Sequence, residues 1–253
     1  MEKKPILHAM LWIMVYIVGV NFSDGFEAQT GIPNLVTALF LLALSVILIV
    51  HLKRNGWVER FGLKRMIKTD IKQVLYFIPL ILLVLIQYVK GLNPSLTTKE
   101  IMICCLLMMG VGFVEELLFR GFLYQAIESR SGVKRAVLIS GATFGIGHIV
   151  NLMRGYGYVE QIGQIIVAIA IGIALALLVA LTRNIVPGII FHILFNISGS
   201  VTNSEIRIDA MLVILIAVIS LGYAFYLSKF LQHGINSKSL RDASVHKTVL
   251  PGT

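Results

Sequence analysis

The sequence predicts an all-α fold, a polytopic transmembrane helical bundle of about eight helices, and three observations carry that expectation. The 253-residue chain is 57% hydrophobic and only 14% charged, far from the balance of a soluble domain. Its apolar residues gather in runs close to the ~20 that a helix needs to cross the ~30 Å hydrocarbon core. Its basic residues fall in alternate loops, the asymmetry of positive-inside topology.

Taken in order, the first run is Ile6–Phe22. It follows Lys3 and Lys4 as a secretory signal would, but it is longer than the usual apolar core of a signal, and "NFSDGFEA" offers no good small-residue cleavage site. A retained first helix is expected. Leu35–Leu52 and Val74–Val89 are the second and third runs, separated by a basic loop. Ile101–Phe119 and Ala136–Leu152 are joined through "ESRSGVKR", a turn-like basic stretch. Ile162–Leu181 carries "AIAIGIALA", whose small residues suit close helix approach in lipid. Pro187–Val201 opens with a proline suited to a first helical turn. Met211–Phe230 is the last run, and the tail from Ser237 to Thr253 is polar and expected to be mobile. No stretch remains for a separate soluble domain. The organisation is therefore residues 1–100 as N-terminal membrane helices without a recognised motif, 101–200 as the core that carries the polar motifs, and 201–253 as the last membrane helix and a cytoplasmic tail.

The net charge of +9 raises the question of nucleic acid. Position answers it. With loops numbered alternately from the inside, seventeen of the 22 Lys and Arg fall inside; Lys90, Lys99, Arg154 and Arg207 fall outside, and Arg120 lies in the membrane. The charge marks orientation, with both termini cytoplasmic, and no nucleic-acid partner is expected. Cys104 and Cys105 are adjacent in an apolar run, which suits packing and neither a disulfide framework nor a zinc knuckle.

An ionisable side chain at a helix centre costs ~2.5–3.5 kcal/mol on insertion scales. This chain has three groups of polar residues within its apolar runs: Glu115, Glu116 and Arg120 in "GVGFVEELLFRGFLY"; His148; and His192 with Asn196. Residues four apart share a helix face, whereas neighbours diverge by about 100°. Glu116 and Arg120 can therefore pair, and Glu115 projects elsewhere with no cation on its own helix. A turn near Ser131 would place Glu115 and His148 at similar depths, on the order of 20 Å along an antiparallel hairpin. His192 and Asn196 share one face of the seventh helix, and His192 lies roughly 14 Å from Arg183 along a regular helix. Three helices would thus bring a carboxylate, two imidazoles and an amide towards one buried region.

A carboxylate beside an imidazole can activate water as a general base when burial raises its pKa, and an imidazole with an amide can hold an oxyanion. These parts suffice for peptide hydrolysis without a nucleophilic Ser or Cys. Ser140, Thr143 and Ser198 lie in no nucleophile-elbow pattern. Glu, His and His could alternatively form a zinc site, although no HExxH places two histidines one turn apart.

"EELLFR", "FGIGH" and "HILFN" resemble, in order, the three motifs of the CPBP family, the CAAX-protease and bacteriocin-processing intramembrane endopeptidases also called the Abi family. The flanking "RGFLYQAIESRSGVKRAVLISGATFGIGH" is similar as well, and the likeness spans about residues 110–200. The resemblance implies a glutamate-dependent protease that cuts membrane-associated proteins or peptides. Position by position, it implies Glu115 as the water-activating glutamate, His148 as its partner, and His192 and Asn196 as the third-motif pair, Asn196 in the oxyanion role. Glu116 and Arg120 match the supporting pair, and Phe144 is expected beneath His148. It implies no cofactor, zinc being the alternative. Substrates in such a family range from prenylated CAAX proteins to bacteriocins and signalling peptides; the compact chain suggests a bacterial cell membrane. Two readings stand beside it: a zinc-dependent membrane peptidase, and a non-catalytic scaffold or bacteriocin immunity protein. A transporter is a weaker variant, since no inverted repeat is visible.

Overall fold

The structure is a computed structural model that describes residues 4–64, 75–154 and 157–248. Val74 and the basic residues Arg65, Lys68 and Lys72 of the expected inner loop lie outside the described residues.

Helix α1 (Pro5–Thr30) begins with a proline in its first turn and ends at Gly31, whose φ of 64° glycine adopts without a Cβ penalty. The Glu27 carboxylate then caps α2 (Leu35–Arg54). It accepts from the Asn34 and Thr37 amides at 2.7 and 3.1 Å, satisfying donors that a helix start leaves open. A short α3 (Ile78–Leu85) runs into a tight 3-10 turn, Ile86–Lys90. Helix α4 (Thr98–Glu116) opens on a capping box between Thr97 and Glu100. A wide π segment, Leu117–Leu123, follows without a break and leads into α5 (Tyr124–Gly147), which is interrupted at Gly132 (φ 79°, ψ 170°). A 3-10 turn (His148–Arg154), α6 (Tyr158–Thr182), α7 (Val186–Ser200) and α8 (Ile206–Thr248) complete the chain.

Among the described residues the architecture is helical, with one isolated bridge between Leu92 and Thr202. Five helical stretches are long and apolar enough to cross a membrane, against the eight runs read from the sequence. The difference has a physical source. Thr98–Asn151 is one helical stretch bent at Gly132, and Ile78–Lys90 and Val186–Ser200 are shorter than a full crossing. The polar tail is helical through Thr248. Helices α1 and α8 turn large apolar side chains outward, among them Met10, Leu11, Val18, Ile214, Val218 and Phe225. In water such faces would be a liability, and in lipid they are the solvent-facing side.

Close packing sets the positions of the polar residues. Helix α4 lies between α2 and α7, and α6 lies between α5 and α8. Gly112 lets α4 approach α7: a Cβ there would stand 2.6 Å from the Ile193 side chain. Gly145 does the same for α5 against α6, where a Cβ would come within 2.6 Å of the Ile169 amide nitrogen. The chain reverses at Gly132, so that the Ser140 hydroxyl donates to the Phe119 carbonyl at 2.8 Å and the Phe144 ring meets Phe119. The turn expected near Ser131 is this one.

The bundle has two distinct ends. At one, the loop after α2, the bend in α5 and the α6–α7 junction meet: the Ile185 amide donates to Gly62 O at 2.9 Å, and Arg183 pairs with Glu128. That pairing holds the Arg183 pKa above its ordinary value. At the other end the segment after α3 meets the segment after α7, through Asn93 N–H to Val201 O at 2.9 Å and Lys90 to Asp209 at 3.1 Å.

Candidate active site

Glu115 and Glu116 close α4 at the point where the helix widens into the π segment, the kind of irregularity that often marks a functional site. Both are buried, and with them Arg120 and His192. The i, i+4 pair is present: Arg120 Nη1 lies 2.9 Å from Glu116 Oε1, both side chains fully shielded from solvent. The angle falls short of a hydrogen bond, and the rest of the guanidinium lies over the Phe144 ring, 4.1 Å from its centre.

His192 stands between the two glutamates. Its Nδ1 is 3.1 Å from Glu116 Oε1 and its Nε2 is 3.4 Å from Glu115 Oε2. The other oxygen of Glu115 accepts from the Tyr16 hydroxyl of α1. So the carboxylate with no cation on its own helix is held from two other helices.

His148 occupies a different place. Its Nδ1 donates to the Phe144 carbonyl at 3.1 Å, which leaves Nε2 as the acceptor nitrogen. Glu115 and His148 line the same cavity, as the hairpin reading requires, but no hydrogen bond or ion pair joins them among the described residues. The imidazole set directly against Glu115 is that of His192. Phe144 is the common wall: both His148 and His192 present an edge to it, at centroid distances of 5.2 and 5.6 Å. Asn196, one turn beyond His192, lines the cavity, and its own carbonyl accepts from Ser200 at 2.8 Å.

Two wall residues carry no sequence motif. Tyr16 is one, a tyrosine ten residues into an apolar run. Gln87 is the other: its amide bridges the Phe195 carbonyl and the Ser198 hydroxyl, each at 2.7 Å, and so fixes α7 beside the cavity. A buried amide or phenol in a membrane run is the signal that could have found both.

The cavity measures about 460 Å³. Glu115 is the acidic side chain among the residues that line it, with Asn196, His148, Tyr16 and Gln87 as polar neighbours and Val111, Met108, Phe119 and Phe195 as apolar wall. A shielded carboxylate facing such a space can take a proton from a bound water, and an amide nearby can hold developing negative charge. Among the described residues, no three His, Cys, Asp or Glu side chains gather as a metal site.

No curated protein and no solved structure matches the chain. A family model does: that described as Type II CAAX prenyl endopeptidase Rce1-like matches residues 97–198. The matched segment holds all three motifs, with both glutamates, His148 and His192. Its helices and the rest of the bundle are those of an integral membrane protein. Residues 97–198 are thus similar to the Rce1-like type II CAAX prenyl endopeptidases, and they lie within a bundle of membrane-spanning helices.

Proposed function

We propose that this protein is an intramembrane glutamate-dependent endopeptidase with Glu115 as its base. The observation that carries the reading is the placement of Glu115: it faces the cavity, and it is oriented by Tyr16 on one oxygen and His192 beside the other. In the proposed reaction Glu115 takes a proton from a water as the oxygen attacks the peptide carbonyl. Asn196 stabilises the oxyanion through its amide, and the proton passes to the leaving amine as the C–N bond breaks. His148, with an acceptor nitrogen free of the Phe144 carbonyl, partners the water and assists that transfer. Glu116, itself paired with Arg120, holds His192 in place from behind, and Phe144 packs against both imidazoles and the Arg120 guanidinium.

The test is peptide cleavage by purified wild type beside Glu115→Gln, with and without chelator. Loss of a general base costs ~10²–10⁴-fold. The amide keeps the shape and cannot take the proton, so the variant should be inactive and well folded, and the wild type should survive chelation. An active Glu115→Gln protein overturns the mechanism. Stoichiometric zinc with loss of activity on chelation would favour the zinc peptidase. Intact biological function in the inactive variant would favour a scaffold or immunity role.

A further inference from the structure

The cavity is asymmetric along the bundle. On α4 its lining runs from Glu115 through Val111 to Leu107, all towards the start of the helix. On α7 it runs from Asn196 to Ser200, towards the helix end. On α1 it runs from Tyr16 to Asn21, again towards the end. These three directions point to the same end of the antiparallel bundle, the one that holds the α1–α2 loop and the Lys90–Asp209 contact. Exposed residues at that end, Asn34, Gln164 and Ser200, form the rim.

The opposite direction is closed. Beyond Glu115 lie Glu116, Leu117, Leu118, Arg120 and Phe122, each 0–1% exposed. They form a closely packed floor, and the small cavity at that end, beside Tyr124, Gln125 and Arg183, shares no lining residue with the one that holds Glu115. The closed end is also the basic one, carrying Lys53, Arg54, Arg60, Lys64, Lys134 and Arg183. The rim end has Lys90, Lys99 and Arg207, and Asp209 neutralises the first of these. Basic residues near membrane helices stay on the cytoplasmic side.

We infer that the site is reached only from the extracytoplasmic face, and that its substrate is an exported peptide or the outer flank of a membrane protein. The substrate assignment rests on the peptidase reading above; the sidedness does not. The rim chemistry fits such a substrate. Asn21, Asn34, Asn151, Gln164 and Ser200 offer uncharged donors and acceptors suited to an extended peptide backbone, and among the described residues the lining contains no Lys or Arg that would select an acidic group. Deeper in, Ile17, Val20, Met108 and Val111 suit apolar side chains. A lipidated C-terminus presented from the cytoplasm would meet the closed, basic end instead.

The experiment labels single cysteines with a membrane-impermeant maleimide in sealed right-side-out and inverted vesicles. Ser200→Cys and Gln164→Cys report the rim, and Ser131→Cys reports the bend at the closed end, each with Cys104 and Cys105 replaced by Ala. The rim cysteines should react from outside roughly tenfold faster than from inside, and Ser131→Cys the reverse, because thiol reactivity follows access. Rim labelling from the cytoplasmic side, or equal labelling from both, overturns the inference. A quenched peptide offered to either face of wild-type vesicles adds the second readout, with cleavage expected from outside only. Cleavage from inside only would also overturn it. Rim labelling from outside without cleavage from either face would remove the peptidase reading and the substrate assignment, and leave the access route standing.

Discussion

Around His192 the bundle assembles acidic and basic side chains, whereas around His8 it assembles aromatic rings. In the first cluster one imidazole lies between two carboxylates, with a buried guanidinium behind them. In the second, His8 and His51 meet through their Nε2 atoms at 3.3 Å, and Trp12 donates to His8 at 3.0 Å. Trp57 and Phe122 close the ring cluster around His8. The two clusters are neighbours, for Phe122 belongs to the same π segment as Arg120. The difference is one of consequence. A buried charge that loses its partner is left with its full desolvation cost, while an aromatic ring that loses a partner forfeits a contact. The first arrangement is tolerable in a membrane helix only where something needs the charges.

The contrast is broken or sharpened by substitution, the largest effect first. Arg120→Ala leaves Glu116 buried without its cation, which typically costs ~3–5 kcal/mol. Folded protein in the membrane and the melting temperature should both fall; normal abundance and stability with activity lost would give Arg120 a direct part in the chemistry. Tyr16→Phe removes one donor from Glu115, a charge-assisted hydrogen bond worth ~1.5–3 kcal/mol. We expect kcat/KM to drop about tenfold or more with little change in stability, and unchanged kinetics would detach α1 from the site. Trp12→Phe deletes one donor in the ring cluster, a bond within α1, and should cost only ~0.5–1.5 kcal/mol of stability, the net worth of an ordinary hydrogen bond. If thermal unfolding shows it to be as damaging as Arg120→Ala, the distinction between the clusters fails.

Local rules made the first cluster legible. The four-residue spacing of Glu116 and Arg120 gave their ion pair, and "SRSG" gave the reversal at Gly132, so Glu115 and His148 came to one cavity from depth alone. What the same rules could not give is which imidazole abuts Glu115. That depends on the close approach of α4 to α7 at Gly112 and Ile193, and rotation about a helix axis is not encoded by depth. Tyr16 was out of reach for a related reason: it lies 99 residues before Glu115, in a part of the chain without a motif. His8 and His51 share a face only once α1 and α2 are packed. The π segment also escapes a reading based on 3.6 residues per turn. The count of crossings suffered from length, since Val186–Ser200 is apolar but only 15 residues long.

The closed floor beneath Glu115 has an electrical consequence. A cavity continuous with the outer medium carries that medium's potential down to its base, so the membrane voltage falls across the remaining thickness alone. The Glu116–Arg120 layer then sits in a steeper field than a uniform bilayer would impose, each elementary charge being worth ~2.3 kcal/mol per 100 mV over the full drop. A proton reaching Glu115 from outside crosses almost none of it. The same floor makes the protein a seal as well as a site, and liposomes that contain it should hold a pH gradient as long as empty ones; rapid collapse of the gradient would show that the floor leaks.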